Sequence, residues 1–213
     1  MSTLRERKAA RLRLDLTAAL RVRLDERTLD QITVRELCEA VEISDGTFFN
    51  HFPSKADLAF FFVQLWAIDA GWHAAQAAPR GARAAIEAIF DMTAAQASAH
   101  PRVMGEIIAL QARMPPGLRP RPVSSAERAL AFPGRVGLDQ LGDLGLDSLL
   151  PPLIERAAAS GELPASVDRQ CTLLALCNVF FGVPLLLGPR APQLIGAAYR
   201  QQLDLVWKGL RHG

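Results

Sequence analysis

The chain has 213 residues, of which half are apolar, and its formal net charge at pH 7 is +2. The apolar fraction excludes an intrinsically disordered chain, and the length suffices for one or two domains with hydrophobic cores. The spacing of Cys38, Cys171 and Cys177 fits neither a disulfide framework nor a structural zinc site. We therefore expect buried thiols, a reducing cytoplasm and no signal peptide.

Basic and acidic residues are unevenly distributed near the N-terminus. Residues 1–23 carry seven Arg or Lys against two acids, whereas residues 25–45 carry two Arg against seven acids. The basic segment predicts attraction to phosphates, and the alternative is the solvated side of a helix.

Apolar residues recur at three- and four-residue steps along most of the chain, a period that predicts an all-α protein. Residues 115–146 interrupt this period with repeated Pro and Gly, which predicts a loop-rich segment. Ser124 and Glu127 have capping-box spacing and predict one short helix inside it. The predicted helices cover 4–26, two short stretches within 33–52, 55–78, 82–99, 102–113, 147–160, 166 or 168 to 187, and 192–211.

One stretch near the N-terminus contains the most specific pattern. Thr33 and Glu36 have capping-box spacing and predict the start of a short helix, and Ser44 can cap a second one. Glu42 and Ile43 form the turn between them. Two short helices that cross over a small apolar seam form a helix-turn-helix, whose second helix lies in the major groove of DNA. The apolar side of the second helix is expected to consist of Phe48, Phe49 and Phe52.

Five short motifs in this stretch resemble the signature of the tetracycline-repressor (TetR) family of bacterial regulators. The resemblance covers residues 5–60. It implies an N-terminal helix-turn-helix DNA-binding domain over residues 1–56. It also implies a helical domain over residues 57–213 that binds a small-molecule effector and forms a homodimer, without a cofactor. The motifs are Thr33-Val34, Ile43-Ser44, Gly46-Thr47-Phe48, His51-Phe52 and Ser54-Lys55.

The resemblance also implies which side chains contact a double-stranded DNA operator. Arg35 reaches a base edge, and the alternatives are a phosphate contact or a salt bridge to an acid such as Asp30. Asn50 faces the groove and can pair with adenine. Phe49 replaces a Tyr that usually binds a phosphate, so its ring contacts either a thymine methyl group or the protein core. For Asp45 the alternative is a role at the helix dipole or as a second cap, and for His51 it is a packed or partly exposed side chain. The remaining expected contacts are Ser44, Asp45 and Gly46 at the leading edge of the helix, and Thr47, His51 and Lys55 at phosphates.

A nearly continuous apolar segment runs from Cys171 to Leu187. Its 17 residues fall short of the ~20 that a membrane span needs, so we expect a buried helix and no membrane partner. Residues 167–187 and 192–211 are expected to form the dimer interface as a four-helix bundle. Substitution of Val179 or Phe180 by Asp is expected to disrupt that dimer.

The resemblance and the surplus of large apolar residues predict an effector pocket among the central helices. We interpret the chain as a transcriptional repressor that binds a palindromic operator and is released by a hydrophobic effector. The alternative is a DNA-binding regulator of the same fold that senses no small molecule or acts as an activator. The sequence has no catalytic or metal-binding motif, which argues against an enzyme. The expected lining residues are Trp66, Trp72, Phe90, Met104, Ile108, Phe180 and Phe181.

Overall fold

A computed structural model describes residues 3–113 and 120–212 of the chain. Within these ranges the regular secondary structure consists of α-helices and short 3-10 helices, which confirms the predicted all-α class. Residues 115–119 of the expected loop-rich segment lie outside the described residues. The α-helices are α1 (Leu4–Leu24), α2 (Val34–Ala40), α3 (Asp45–His51), α4 (Lys55–Ala77), α5 (Ala82–Ala99), α6 (Pro101–Ala112), α7 (Ser125–Ala131), α8 (Leu146–Ala159), α9 (Arg169–Leu187) and α10 (Ile195–His212).

The chain divides into two compact units. The first unit consists of Met1–Ile68 and Glu106–Asp143, and the second consists of Asp69–Gly105 and Leu144–Gly213. The boundary between a DNA-binding domain and an effector domain after residue 56 stays a prediction. The short helix expected inside the loop-rich segment is confirmed as α7, which lies in the first unit.

Local hydrogen bonds fix the turn between α2 and α3. Glu42 lies in the left-handed region with a φ of 57°, and the amide of Ile43 donates to the carbonyl of Cys38 over 3.0 Å. The amide of Glu42 donates to the carbonyl of Glu39 over 3.4 Å. These two bonds form a Schellman motif, which satisfies the last carbonyls of a helix. The turn expected at Glu42 and Ile43 is confirmed.

Helix α3 buries only some of its aromatic side chains in the core of the first unit. Phe48 and Phe52 are almost fully buried, whereas the side chain of Phe49 is 52% exposed. Phe48 and Phe52 are four residues apart and share one side of α3, whereas Phe49 points to a different side. The prediction that Phe49 belongs to the apolar side is therefore wrong. The other large buried side chains of this core include Leu16, Leu20, Leu24, Ile32, Leu37, Leu58 and Phe61.

Helix α9 in the second unit is exposed over much of its apolar surface. It is long and apolar enough to cross a membrane, but only 28% of its most apolar 18-residue window is buried in the protomer. Leu174 and Leu185 are exposed, whereas Val179 and Phe180 are buried. Val179 and Phe180 are therefore the wrong positions at which to disrupt a dimer, because their substitution would damage the protomer itself. Cys171 is also exposed, so the expectation of a buried thiol is wrong there.

Helices α5, α8, α9 and α10 pack around one core in the second unit. Phe90 of α5 lies edge-on to Tyr199 of α10 and to Phe180 of α9, with ring centroids 5.0 and 5.4 Å apart. Such aromatic pairs contribute about 0.5–1.5 kcal/mol each beyond the area that they bury. The cluster therefore joins three of the four helices.

A hydrogen bond between α10 and α9 compensates for a proline inside α9. Pro184 has no amide proton, so it cannot donate to the carbonyl of Phe180 four residues earlier. The hydroxyl of Tyr199 donates to this carbonyl over 2.6 Å. Burial raises the pKa of Tyr199 far above its ordinary value, so the hydroxyl keeps the proton that it donates.

We expect Tyr199→Phe to lower the free energy of unfolding by about 1–3 kcal/mol, because a buried carbonyl loses its donor. Pro184→Ala restores an amide that can donate to the same carbonyl. In that background Tyr199→Phe is expected to cost less, and urea unfolding of the four variants in a double-mutant cycle measures the difference. The same cost in both backgrounds would contradict this explanation.

Candidate nucleic-acid interface

Helix α3 presents one side to solvent over its whole length. Its inner side is anchored by the buried ring of Phe48. At its N-terminus the hydroxyl of Ser44 accepts the amide of Thr47 over 3.2 Å and lies 3.0 Å from the Thr47 hydroxyl. A helix anchored from one side can enter a groove with the other. Of the expected contacts on α3 and its cap, Ser44, Asp45, Gly46, Phe49 and Asn50 are exposed, and Thr47 and His51 are half-buried.

The outer side of Gly46 is open. A Cβ atom built on this residue would meet the Ser44 hydroxyl at 3.9 Å, which is ordinary van der Waals contact. The fold of the protein therefore does not require glycine here. The missing side chain leaves the helix backbone bare toward any molecule that approaches α3.

Arg35 lies on the exposed surface of α2. Its Nε donates to Glu39 Oε1 over 3.0 Å, and both side chains are exposed. The salt-bridge alternative for Arg35 thus involves Glu39, because Asp30 pairs with Arg113 at 3.2 Å. An exposed pair one helical turn apart contributes only about 0.3–0.5 kcal/mol, so another partner can replace it.

Asp45 has partners within the protein. It lies in the first turn of α3, where a carboxylate interacts favourably with the helix dipole. Its charge also acts on the thiol of Cys38 in α2. Burial, followed by the interaction with Asp45, raises the pKa of Cys38 to about 11. This arrangement gives Asp45 a structural role at the junction of α2 and α3.

Arg13 of α1 holds the C-terminal end of α3. Its Nη1 donates to the carbonyl of His51 over 2.5 Å. Its guanidinium carbon lies 3.9 Å from the ring centroid of Phe52 and 4.3 Å from that of Phe61. Partial burial and then the charges of Arg13 and Arg121 lower the pKa of His51, so its imidazole is neutral near pH 7.

Glu127 of α7 balances the charge of Arg13. The Arg13 Nε lies 2.7 Å from Glu127 Oε1, and the two side chains are 6% and 1% exposed. Arg121 binds the same oxygen, and the amide of Ser124 donates to the other over 2.7 Å. Burial and the charge of Arg121 lower the pKa of Arg13 to about 10, so it stays charged at neutral pH.

The sequence alone groups Arg13 with the other basic residues of the N-terminal segment. Its position in the apolar stripe of α1 nevertheless indicates that it is buried. It lies on the same side of α1 as Ala10, Leu16 and Leu20, which are all buried. An Arg in an apolar stripe needs an acidic partner, because an unpaired buried charge is costly. The exposed basic residues of α1 include Arg5, Arg7, Lys8 and Arg11.

Lys55 is engaged by the backbone of its own unit. Its ammonium group donates to the carbonyl of Leu29 over 2.7 Å, to that of Ile32, and to that of Asp30 over 3.4 Å. An ammonium group has three protons, and all three have acceptors here. A phosphate contact by Lys55 would have to replace one of these bonds. The geometry therefore supports a structural role in place of the expected phosphate contact.

The residues expected to line an effector pocket are distributed over both units. Trp66 and Ile108 belong to the first unit, and the others belong to the second. Phe90, Phe180 and Phe181 form consecutive ring contacts, with centroids 5.4 and 5.1 Å apart. Phe90 and Phe180 are buried core, whereas Phe181 is half-buried. An open depression of about 450 Å³ in the second unit lies elsewhere, along the chain after α8 and beside α10.

Among residues 3–113 and 120–212, which the structure describes, no group of three or more His, Cys, Asp or Glu side chains is arranged to hold a metal ion. The polar groups around α3 are instead engaged in caps and ion pairs, which serve to position the helix.

Comparisons with known proteins agree with this arrangement. Residues 16–60 match the family model described as bacterial regulatory proteins, tetR family. No curated protein sequence matches the chain. A TetR transcriptional regulator from Rhodococcus sp. RHA1 has a similar structure, with a TM-score of 0.59 and 17% sequence identity over 94% of this chain and 97% of that one.

Two further similar structures carry more specific names. The fatty acid degradation regulator FadR from Bacillus halodurans has a TM-score of 0.62 and 16% identity, over 95% of this chain and 97% of that one. The ketosteroid transcriptional regulator KstR2 of Mycobacterium tuberculosis has a TM-score of 0.56 and 15% identity, over 94% of this chain and 95% of that one. At these identities the similarity shows a shared fold.

The matched residues 16–60 include the whole helix-turn-helix, from the second half of α1 to the start of α4. The shared fold extends over nearly the entire chain. Together, these findings show that the helix-turn-helix segment of the chain matches the tetR family and that nearly the whole chain shares the fold of these solved regulators.

Proposed function

We propose that this protein is a cytoplasmic, non-enzymatic repressor that binds a palindromic operator as a homodimer and leaves it when a hydrophobic effector binds. The observation that carries the proposal is the outer side of α3. There, an anchored helix presents polar side chains and the bare backbone of Gly46 to solvent. This is the arrangement that a recognition helix needs in the major groove.

Arg35 and Asn50 are the proposed base contacts. Both are exposed, and the partner of Arg35 is a weak surface pair. Arg pairs with guanine and Asn with adenine, at about 1–3 kcal/mol of discrimination each. The exposed ring of Phe49 contacts a thymine methyl group in this proposal, since the core alternative requires burial.

Thr47 and His51 are the proposed phosphate contacts on α3, and the exposed basic residues of α1 add long-range attraction. Thr47 carries a hydroxyl donor on the partly exposed side of the helix. The neutral imidazole of His51 can donate one N–H to a phosphate oxygen. Contacts of this kind set the position of the helix and carry no base information.

Dimerisation through α9 and α10 is supported by the exposed apolar surface of α9. Leucines recur on this surface at Leu174 and Leu185, and Leu205 of α10 is exposed as well. A contiguous apolar surface of this kind is typical of an interface. Two helices from each protomer would form a four-helix bundle.

The hydrophobic effector rests on composition and on the fold. Half of the residues are apolar, and two structures of the same fold belong to proteins named as a fatty acid degradation regulator and a ketosteroid transcriptional regulator. An effector can release DNA only if it binds the released arrangement more tightly than the DNA-bound one.

Selection of random duplexes on the purified full-length chain, followed by sequencing, tests the function. We expect an inverted repeat whose half-sites lie about one helical turn apart, ~34–36 Å, or a multiple of this distance. Recovery of no common sequence would contradict an operator-binding regulator.

Gly46→Ala tests the bare backbone of α3. Alanine favours a helix by about 1 kcal/mol over glycine, and the added methyl group has room in the free protein. We therefore expect equal or higher thermal stability and about tenfold weaker operator binding, or 1.4 kcal/mol. Gly105→Ala in α6 is the matched control, because a Cβ there would also have room, with no neighbour within 4 Å. Equal operator affinity of both variants would exclude close approach at Gly46.

The double substitution Leu174→Glu and Leu185→Glu tests the dimer. Both side chains are exposed in the protomer, so we expect folded monomers in light scattering and a loss of operator binding. Leu144→Glu, an exposed leucine outside α9 and α10, is expected to remain dimeric. A dimeric double variant would place the interface elsewhere.

A further inference from the structure

Arg121 lies next to the C-terminal end of the recognition helix, although it belongs to a distant part of the sequence. Its guanidinium shares Glu127 Oε1 with Arg13, and Arg13 in turn donates to the carbonyl of His51. Arg121 is therefore linked to His51 through two side chains, Glu127 and Arg13. Arg121 lies outside residues 16–60, which match the tetR family model.

The charges at this point do not cancel. One carboxylate, Glu127, faces two guanidinium groups, Arg13 and Arg121. Arg13 is buried and cannot be solvated, so it requires Glu127 as its counter-charge. Arg121 is 58% exposed, which leaves its positive charge at the surface. The nearby side chains of Arg128 and Asp143 are nearly buried and neutralise each other's charge.

The main chain around Arg121 is fixed by side chains that approach from elsewhere in the first unit. Nε2 of the buried Gln64 donates to the Arg121 carbonyl over 3.1 Å. The amide of Val123 donates to Asp143 Oδ2 over 2.8 Å. A cation that is held in place at both its backbone and its head group loses little conformational freedom when it binds an anion.

We propose that Arg121 is a further phosphate contact of the DNA-binding surface, contributed by the segment that precedes α7. This inference rests on the proposed function, because it requires that the His51 end of α3 lies against the DNA backbone. Arg121 and His51 then bind the same stretch of backbone. Glu127 acts as the positioning residue, since it holds Arg13 against α3 and Arg121 beside it.

The test measures DNA affinity against salt for the full-length wild type, Arg121→Gln and Arg121→Lys. The probe is a fluorescent duplex of arbitrary sequence, long enough for both halves of a dimer. Each phosphate contact contributes about 0.9 to the slope of log affinity against log salt. We expect Arg121→Gln to reduce the slope by about 0.9 per protomer and Arg121→Lys to retain it.

Arg113→Gln is the matched control. Arg113 is also exposed, at 54%, pairs with a carboxylate, Asp30, at 3.2 Å, and lies outside α9 and α10. This variant is expected to keep the wild-type slope. Thermal unfolding checks that Arg121→Gln is folded, which we expect because Gln64 holds the backbone rather than the side chain of residue 121.

Two outcomes would overturn the proposal. An unchanged slope in Arg121→Gln would show that its charge faces solvent in the complex. A loss confined to one preferred sequence would show base reading, because phosphate contacts affect all sequences alike. If the wild type bound no duplex, the proposed function itself would fail, and this result is distinct from both.

Discussion

The buried guanidinium of Arg13 is the interaction on which the first unit depends. It joins α1 to the end of α3 through the His51 carbonyl, to the aromatic core through Phe52 and Phe61, and to α7 through Glu127. Removing one partner of a buried ion pair costs about 3–5 kcal/mol, because the other charge is left without compensation. The proposed recognition helix α3 is therefore positioned partly by a segment that lies far beyond the helix-turn-helix in sequence.

In the second unit too, distant side chains bind backbone groups at two places. Pro184 removes a donor from α9, and Tyr199 of α10 supplies another. At the start of α5 the carboxylate of Glu162 accepts the amides of Ala82 and Arg83 over 2.7 and 2.9 Å. Buried polar groups of the backbone need partners, and a side chain from elsewhere in the unit can provide them. Each such bond also fixes how two segments of the unit pack.

Charge on the helix-turn-helix is largely compensated inside the protein. The carboxylate of Glu36 accepts hydrogen bonds from Thr33 and Arg27, which lower its pKa to about 2. Glu39 pairs with Arg35. These pairs reduce the repulsion that an acidic segment would exert on phosphates. Long-range attraction to phosphates then depends mainly on cations outside α2 and α3, and α1 and the segment before α7 both carry exposed ones.

The sequence by itself determined the helices, their caps and the resemblance to the tetR family, because capping boxes, prolines and motif spacings act between residues that are close in the chain. Thr33, Ser44, Ser124 and Asp168 cap their helices as expected. Only the tertiary structure decided the burial of Arg13, the backbone contacts of Lys55 and the side of α9 that stays exposed. These depend on partners elsewhere in the fold, such as His51, which lies 38 residues from Arg13. Periodicity gives the sides of a helix, but packing decides which neighbour each side meets.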